Sequence, residues 1–587
     1  MTFKRLSEYF HILENTTARN QMTEILADLF KEAKSGEIGK IVFLLQGRVA
    51  PLYDAVEFGL ADKMVIRAIA DSLKADGGEV TKAFKGSGDL GITVEKLKGN
   101  CKTKKDLSVG EVFEILSQTA KAGGAGSQET KIQLLGKLIV DLDPLSTRYL
   151  VRIPVAKLRL GFSDMTILDA LSWMRTGSKE LRPEIEKAYN VRPDLGFIAE
   201  TVKNSGEKSF ENIEPRVGIP VLMARAERMG SGEEIIEKIG RCAVEPKFDG
   251  FRLQGHKKGD KVKLISRNLE DVTAMYPDIV AGIREQVKAK EAILEGEAVA
   301  YNPQTGEYLP FQETVQRKRK YNIEAKAKEI PLKLFAFELL YKEGRNLLLS
   351  VYEERRKELE KIIEKGEVIL VAQEEVVDRA KRLEVIFQDA VSRGLEGVMA
   401  KKLDGIYRAG SRDFNWIKYK RSYAGKLNDT VDSVVMGYDF GQGKRTAFGI
   451  GDFLIGVYDE KQEKYVSIAK IGTGLTDREW KEIKKRSDRL KTKVKPKNYE
   501  VDKIMDCDIW IEPEIVVEIR ADEITRSPVH TAGRIMGPSK SGSAVEVKEA
   551  GLALRFPRLE KFRDDKKPTD ATTLSELWKM LQRQMKK

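Results

Sequence analysis

One lysine in this sequence is placed where it could do covalent chemistry. In Val244-Glu245-Pro246-Lys247-Phe248-Asp249-Gly250-Phe251-Arg252, Lys247 lies two residues before an Asp-Gly turn, and an arginine follows three residues after the aspartate. The surrounding pattern is apolar with a period of two, which predicts a buried strand leading into a tight turn. An ammonium taken out of water loses hydration, so its pKa falls, and further cations push it lower. A lysine so placed can act as a nucleophile. Lys-x-Asp-Gly alone is equally an ordinary ion pair at a strand end, and the downstream residues decide between the two.

Charged residues inside apolar stretches of the middle region are Lys247, Asp249, Arg252, Arg267, Glu297, Glu396, Lys418 and Lys420. Buried charge is costly unless it pairs or meets a ligand, so this collection points to a ligand site. The cations suit a triphosphate, and Glu297 and Glu396 on separate strands suit a hard divalent ion held partly by phosphate oxygens and water. Phe337 offers an aromatic face for a base. Lys247 would then attack the α-phosphorus while the cations neutralise the transferred group and the departing pyrophosphate.

The elements that must position these residues can be read along the chain. Apolar residues at three- and four-residue spacing over 6–13, 22–30, 38–45, 112–116 and 132–139 predict a helical region from 1 to 215. Two segments there interrupt the pattern. Gly86-Ser87-Gly88-Asp89-Leu90-Gly91 is a loop whose amides could meet phosphate, and Lys157-Leu158-Arg159-Leu160-Gly161 precedes a helix capped near Ser163 or Asp164. Each taken alone reads as a turn.

Residues 216–422 alternate strands with helices, which predicts a mixed α/β (α+β) domain. A hairpin turns at 257–260, strands cover 292–300, 332–341, 395–402 and 416–420, and helices cover 279–287 and 378–393. Another helix opens on a capping box, Ser350 with Glu353. Residues 423–587 carry short strands at 431–438, 453–458, 465–471 and 515–520, with a helix at 477–490, and predict a small β-barrel of the OB type. Asp564-Asp565-Lys566-Lys567-Pro568-Thr569-Asp570 reads as a linker. Leu574, Leu577, Trp578 and Leu581 then mark an amphipathic helix that needs a docking surface.

Composition limits the classes of function. A chain of 587 residues needs several cores, and 103 Lys+Arg against 91 Asp+Glu leave a net +12. That surplus permits a polyanionic partner, but a surface with 33% charged residues also suits a heat-tolerant protein. Cys101, Cys242 and Cys507, with no C-x-x-C pair, argue against a disulfide framework or a zinc finger. His11, His256 and His530 are scattered, which argues against a histidine-based triad or zinc site. With no signal-like apolar run and no stretch of about 18 apolar residues, a soluble protein of the cell interior, cytoplasm or nucleoid, is expected, with no membrane partner.

The ordered motifs resemble those of the ATP-dependent DNA ligases of the archaeal and eukaryotic replicative type, over essentially the whole chain. The segments that carry the resemblance are Lys247-Phe248-Asp249-Gly250 with Arg252, Ser266-Arg267-Asn268, Leu294-Glu295-Gly296-Glu297 and Phe337-Glu338-Leu339-Leu340. They continue with Glu396-Gly397-Val398-Met399-Ala400-Lys401, Trp416-Ile417-Lys418-Tyr419-Lys420 with Arg412 upstream, and Arg555-Phe556-Pro557-Arg558 followed by Arg563-Asp564-Asp565-Lys566. Any one of these is weak; seven in order are specific.

The resemblance implies ATP as substrate, Mg²⁺ as cofactor with Mn²⁺ as a substitute, and nicked duplex DNA as partner, in replication, repair and recombination. It implies that Lys247 becomes adenylylated, that Glu245 reads the adenine with Phe337 stacking on it, and that Arg252 and Arg267 meet ribose or phosphate. Arg412, Lys418 and Lys420 would complete the ATP site, the two lysines at the α-phosphate, and Glu297 and Glu396 would hold the metal. The helical domain would grip the duplex, with Lys157, Arg159 and Gly161 at its backbone. Arg555 and Lys566 would act in the first step, when the OB domain covers the site. A monomer is expected. For contact with a sliding clamp, neither 100–107 nor Tyr9-Phe10 carries the expected glutamine and aromatic pair.

Two rival readings remain at this point. RNA ligases and GTP-using capping enzymes share the lysine motif, but the long helical region with 157–161 argues against both, and the four-cysteine zinc module of NAD-dependent ligases is missing. A non-catalytic nucleic-acid-binding protein would leave Lys247, Glu297 and Glu396 without a purpose.

Overall fold

In the computed structural model the described residues are 1–99, 105–204, 210, 213–304, 307–309, 314–319, 321–393, 395–420, 429–441, 449–472, 475–521, 523–538, 545–555 and 557–585. The chain divides into two compact units, Met1–Ile213 and Glu214–Lys587. Most of the loop 100–107 lies outside the described residues. Tyr9 and Phe10 are buried in the helix Phe3–Glu14. Among the described residues no helix is long and apolar enough to cross a membrane.

The first unit is helical. Its opening helix, Phe3–Glu14, buries Phe3, Leu6, Phe10 and Leu13 on one face, and the Thr2 hydroxyl caps it by accepting from the Arg5 amide. Burying each such side chain contributes roughly 1.5–3 kcal/mol, which is what holds short helices in place. The helix Val109–Lys121 starts on a capping box between Ser108 and Glu111.

The loop at 86–91 proves to be a turn between the helices Gly77–Ser87 and Leu90–Lys98. Asp89 caps the second helix by accepting from the Ile92 amide, and its carboxylate also pairs with Arg152 at 3.0 Å and Arg159 at 3.4 Å. The segment is thus the turn it reads as alone, and its carboxylate holds two arginines.

The segment 157–161 follows the helix Pro144–Arg152 and precedes Asp164–Thr176, which Ser163 caps. Leu158 and Leu160 are buried, while Lys157 and Arg159 are partly exposed and Gly161 is exposed. Ala156 and Arg159 take positive φ, 53° and 58°, as does Gly161 at 83°. Left-handed backbone at two non-glycine residues is costly and is held in place by its surroundings. Here the Lys157 amide bonds to the Arg152 carbonyl at 3.0 Å, Lys157 Nζ meets Asp62 at 3.3 Å, and Arg159 meets Asp89.

Arg152 also pairs with Glu14 at 3.1 Å, and Arg148 pairs with Glu14 at 2.8 Å. Burial works against the Glu14 carboxylate, but these arginines and the Tyr149 hydroxyl hold it down to about 2 from an ordinary 4.5. The folded value is the lower one, so this stabilisation is complete above about 4.5 and disappears as pH falls toward about 2. We expect calorimetry to show the helical unit losing stability across that window, and Glu14→Gln to be less stable at neutral pH but flatter below 4.5. Parallel curves for the two proteins would contradict this.

The second unit begins with strands β1 (Arg225–Arg228), β2 (Cys242–Lys247), β3 (Phe251–Lys258), β4 (Lys261–Ser266), β5 (Glu291–Ala300), β6 (Leu332–Lys342), β7 (Arg345–Asn346), β8 (Ile369–Val371), β9 (Glu375–Val377), β10 (Gly397–Lys402) and β11 (Arg412–Lys420). They form two sheets, β1-β11-β10-β2-β9 and β4-β3-β5-β6-β7, with β8 added beside β6. The Phe248-Asp249-Gly250 turn carries the chain from the first sheet into the second. Two glycines make the close approaches possible: a Cβ on Gly250 would lie 2.2 Å from the Ala298 carbonyl, and one on Gly397 would lie 2.1 Å from that of Tyr419.

The helix expected to open on a Ser350/Glu353 capping box runs Tyr352–Ile362 and starts one residue later, with Val351 at the cap and no side-chain cap bond. The reason is tertiary: the Glu353 amide bonds to the Leu403 carbonyl at 3.1 Å, and Arg355 takes the Ser350 carbonyl.

The remaining strands are β12 (Val431–Asp439), β13 (Asp452–Asp459), β14 (Lys464–Ile471), β15 (Lys491–Thr492), β16 (Tyr499–Glu500), β17 (Ile509–Ile511), β18 (Val516–Arg520), β19 (Glu523–Ser527), β20 (Ile535–Pro538), β21 (Val545–Glu549), β22 (Gly551–Arg555) and β23 (Arg558–Phe562). Among the described residues β12–β18 and β23 form one sheet, while β19 pairs with β22 and β20 with β21. Val431, Phe453, Ile468, Ile483 and Val517 form its core, and the helix Leu574–Met585 docks there through Leu577, Met580 and Leu581. That core is the surface the amphipathic helix required.

The linker expected at 564–570 is instead packed. Its charges have found partners: Lys566 with Asp432, Asp565 with Arg563 at 2.8 Å, and Asp570 with Arg225 at 2.9 Å. A charge-rich run with Pro568 reads as solvated only when Asp432 and Arg225, more than a hundred residues away, are out of view.

Candidate active site

Strand alternation puts Glu245 and Lys247 on one face of β2. Across the sheet Lys247 lies opposite Gly397, which lies opposite Lys420, while Glu245 lies opposite Met399, which lies opposite Lys418. From the second sheet, Arg252 on β3 lies opposite Glu297 on β5. Residues of both sheets line one cavity, and every residue expected at the ATP and metal site is among them: Glu245, Lys247, Arg252, Arg267, Glu297, Phe337, Glu396, Arg412, Lys418 and Lys420.

Lys247 is half-buried and donates to Glu396 Oε2, while Lys420 pairs with Oε1 of the same carboxylate. Besides the cations expected around Lys247, its first partner is thus a carboxylate. Burial opposes ionisation of Glu396, but Lys247 and Lys420 hold it well below the usual carboxylate range. Among the described residues Glu297 has no such partner, and burial pushes it up to about 7 despite Lys247 and Arg252.

Lys418 is the cation least compensated. Burial and the neighbouring Arg228 and Lys420 push it well below the usual lysine range, and no carboxylate pairs with it among the described residues. Such a group gains most from an incoming phosphate. Arg412 is lowered to about 10 by burial and by Arg228, and it pairs with Glu576 of the last helix. Arg267 is half-exposed, 3.9 Å from Asp570.

At the other end of the cavity Phe337 and Trp416 meet edge to face, centroids 5.9 Å apart. Arg252 lies 5.3 Å over the first ring and 5.0 Å over the second, anchored by the Ala224 carbonyl at 2.8 Å and by Glu295. Glu245 is buried beside Lys401, which lies 2.8 Å away; burial raises its pKa and Lys401 opposes the rise. Removing one member of such a buried pair costs about 3–5 kcal/mol.

The strand β23 and the residues after it add Lys561, Arg563, Asp565 and Lys566 to the lining. Lys561 reaches Asp249 at 3.4 Å, and Arg563 is held by Asp432 at 3.1 Å and Glu518 at 2.9 Å. Burial and the cations Arg563, Arg267 and Arg228 bring Lys566 down to about 7, against the pull of Asp432. Arg555 is not in this lining. It pairs with Glu523 at 2.8 Å across β22 and β19, more than half exposed.

The residues missed from sequence are Lys401, Trp416, Lys561 and Arg563. Three of them stand within the quoted motif stretches, and Arg563, three residues before Lys566, was the available alternative to Arg555. Lys157, Arg159 and Gly161 lie in the first unit, in the strained loop described above. Among the described residues no cluster of three or more His, Cys, Asp or Glu side chains could hold a metal by itself. Two carboxylates in a cation-rich cavity fit a divalent ion that takes its remaining ligands from phosphate and water.

Comparison with known proteins agrees with this geometry. Three family models match: "DNA ligase N terminus" over residues 2–172, "ATP dependent DNA ligase domain" over 223–420 and "ATP dependent DNA ligase C terminal region" over 446–566. A protein of Dictyoglomus thermophilum named "Probable DNA ligase" is 47% identical over 587 residues, covering 100% of this chain and 98% of that protein. "DNA ligase 2" of Thermofilum pendens is 41% identical, covering 100% of this chain and 98% of its own length, and "DNA ligase" of Staphylothermus marinus is 41% identical with full coverage of both. With a cavity of this composition and relatives that match from end to end, the chain belongs to the ATP-dependent DNA ligase family.

Proposed function

We propose that this protein seals nicks with 5′-phosphate and 3′-hydroxyl ends in duplex DNA, using ATP, with the cavity around Lys247 as its active site. The observation that carries this reading is the meeting of Lys247 on β2, Lys418 and Lys420 on β11, and Glu396 just before β10, the strand between them. The neutral Lys247 amine attacks the α-phosphorus, a P–N bond forms, and the bond to pyrophosphate breaks. The nick's 5′-phosphate oxygen then attacks the same phosphorus and releases the lysine, and finally the 3′-hydroxyl attacks the 5′-phosphorus and expels AMP. Lys418 and Lys420 hold the α-phosphate and offset charge as it develops, and Phe337 stacks on the base with Glu245 at its edge. Arg252, Arg267 and Arg412 serve ribose and phosphates.

Glu297 and Glu396 would hold Mg²⁺, or Mn²⁺ in its place. The ion supplies charge neutralisation at the phosphates when bound. Residues 1–215 form the DNA-binding domain, 216–422 the adenylation domain and 423–587 an OB-type barrel with its terminal helix. The enzyme works as a monomer inside the cell, in replication, repair and recombination.

The placement of Lys566 and Arg563 at the cavity favours a role for this segment in the first step. Lys566→Ala is expected to slow self-adenylylation about a hundredfold while sealing of pre-adenylylated nicks changes less than about threefold. Asp432 keeps Arg563 and Arg228 as partners, so the fold should tolerate the change. A variant that labels itself normally and fails on pre-adenylylated nicks would contradict the assignment.

The partial exposure of Lys157 and the exposure of Gly161, beside Arg159 in the same loop, favour contact with the DNA backbone. Affinity for nicked duplex should fall steeply with salt, and Lys157→Ala should lower the slope of log affinity against log salt by about one. A flat salt response in the unaltered protein would count against it.

A further inference from the structure

At the cavity wall Glu245 belongs to a buried polar cluster whose other members, Lys401, Tyr352 and Arg356, the steps above do not use. Glu245 is 3% exposed and Lys401 1%. Oε1 of Glu245 accepts from Lys401 Nζ at 2.8 Å and from the Tyr352 hydroxyl at 2.8 Å, and Arg356 Nη1 lies 3.7 Å from the same oxygen. The two hydrogen bonds and the Arg356 approach all fall on Oε1, while Glu245 itself lines the cavity. Oε2 is the oxygen left to meet a ligand.

Lys401 is fixed on both sides. It donates a second bond to the Phe337 carbonyl at 2.9 Å, and its ammonium lies 4.9 Å from the Phe337 ring, 4.9 Å from that of Tyr352 and 4.8 Å from that of Trp416. The Tyr352 hydroxyl also reaches Glu374, and having one proton it can donate to only one of the two carboxylates at a time. Lys401 is therefore the donor that always holds Oε1.

We propose that Lys401, supported by Tyr352, is a positioning residue that sets the base specificity of the first step: by occupying Oε1 it presents Oε2 as an acceptor that takes a purine bearing a 6-amino donor and repels one bearing a 6-oxo group. This rests on Glu245 facing the base, as in the reading above. It adds that the discrimination depends on a lysine at the cavity wall that acts through Glu245. A site built around a committed acceptor rejects a mismatched edge strongly, because the buried oxygen would be left facing another acceptor.

The test compares self-labelling of the full chain by α-labelled ATP and ITP, whose purines differ in the 6-substituent, amino against oxo, and at N1, which carries a proton only in ITP. The unaltered protein should favour ATP by about a hundredfold or more. Lys401→Met should narrow that ratio at least about tenfold, chiefly through a higher KM for ATP, and Tyr352→Phe should narrow it about threefold. A purely structural role for Lys401 would slow both nucleotides equally, and an unchanged ratio in both variants overturns the proposal. If Lys401→Met does not fold, the ratio in Tyr352→Phe decides.

Glu245→Gln separates the two levels of the argument. If it collapses the ratio while Lys401→Met and Tyr352→Phe keep it, Glu245 reads the base and only the positioning role is wrong. If Glu245→Gln leaves the ratio intact, Glu245 is not the base reader and both fall.

Discussion

Lys247→Arg is expected to abolish ATP-dependent nick sealing, with self-adenylylation reduced by about four orders of magnitude or more. A guanidinium keeps the charge that pairs with Glu396 but stays protonated, so it cannot offer the electron pair that forms the P–N bond. The fold should survive, since the ion pair and the half-buried setting of the side chain are kept. Because the later steps start from an adenylate already on DNA, the same variant should still seal pre-adenylylated nicks at a measurable rate. Loss of that activity together with self-labelling would mean that Lys247 serves only as a positioning charge. Labelling that persists would place the covalent bond elsewhere.

Glu396→Ala should be the next most damaging change. One carboxylate is shared by Lys247 and Lys420, so its loss leaves two neighbouring ammonium groups in a cavity that already holds Lys418. Repulsion would move the nucleophile, and one of the two proposed metal ligands would be gone. A fall of about two to four orders of magnitude is expected in both self-adenylylation and the sealing of pre-adenylylated nicks. Stability should fall by about 2–4 kcal/mol, read as a lower denaturant midpoint with unchanged slope. Glu396→Gln should recover much of the stability and little of the rate. If Glu396→Ala sealed nicks within about tenfold of the unaltered enzyme, the carboxylate would be structural only.

Much of the site was legible in sequence because catalysis forces local conflicts that packing alone would not tolerate. Lys247, Glu297, Lys418 and Lys420 stand in strands whose other residues are apolar, and such charges are conspicuous. Lys401 was hidden by the same rule: at the end of a strand, next to Lys402, it reads as a solvent-facing lysine, and nothing local announces three aromatic rings around it. Arg555 and Arg563 illustrate a different limit. Both are arginines in a basic run, and what separates them is that β23 turns Arg563 toward Asp432 and Glu518 while β22 leaves Arg555 beside Glu523.

Secondary structure shows the same division. The hairpin of β3 and β4 and the helix docked on the last core followed from pattern. The Ser350 cap and the linker at 564–570 failed because Leu403, Asp432 and Arg225 supplied partners from distant parts of the chain. The glycine-rich segment at 86–91 is the turn it reads as alone, and the pairing of Asp89 with Arg152 and Arg159 was not visible in sequence.

The most direct test of the central claim is to label the protein with ATP carrying radioactive α-phosphorus, map the labelled peptide, and chase with unlabelled nicked duplex DNA. The account predicts a single labelled site at Lys247, stable to hydroxide as a P–N bond, whose label leaves as AMP in step with closure of the nick. Label on another residue, or label at Lys247 that nicked DNA cannot discharge, would contradict it.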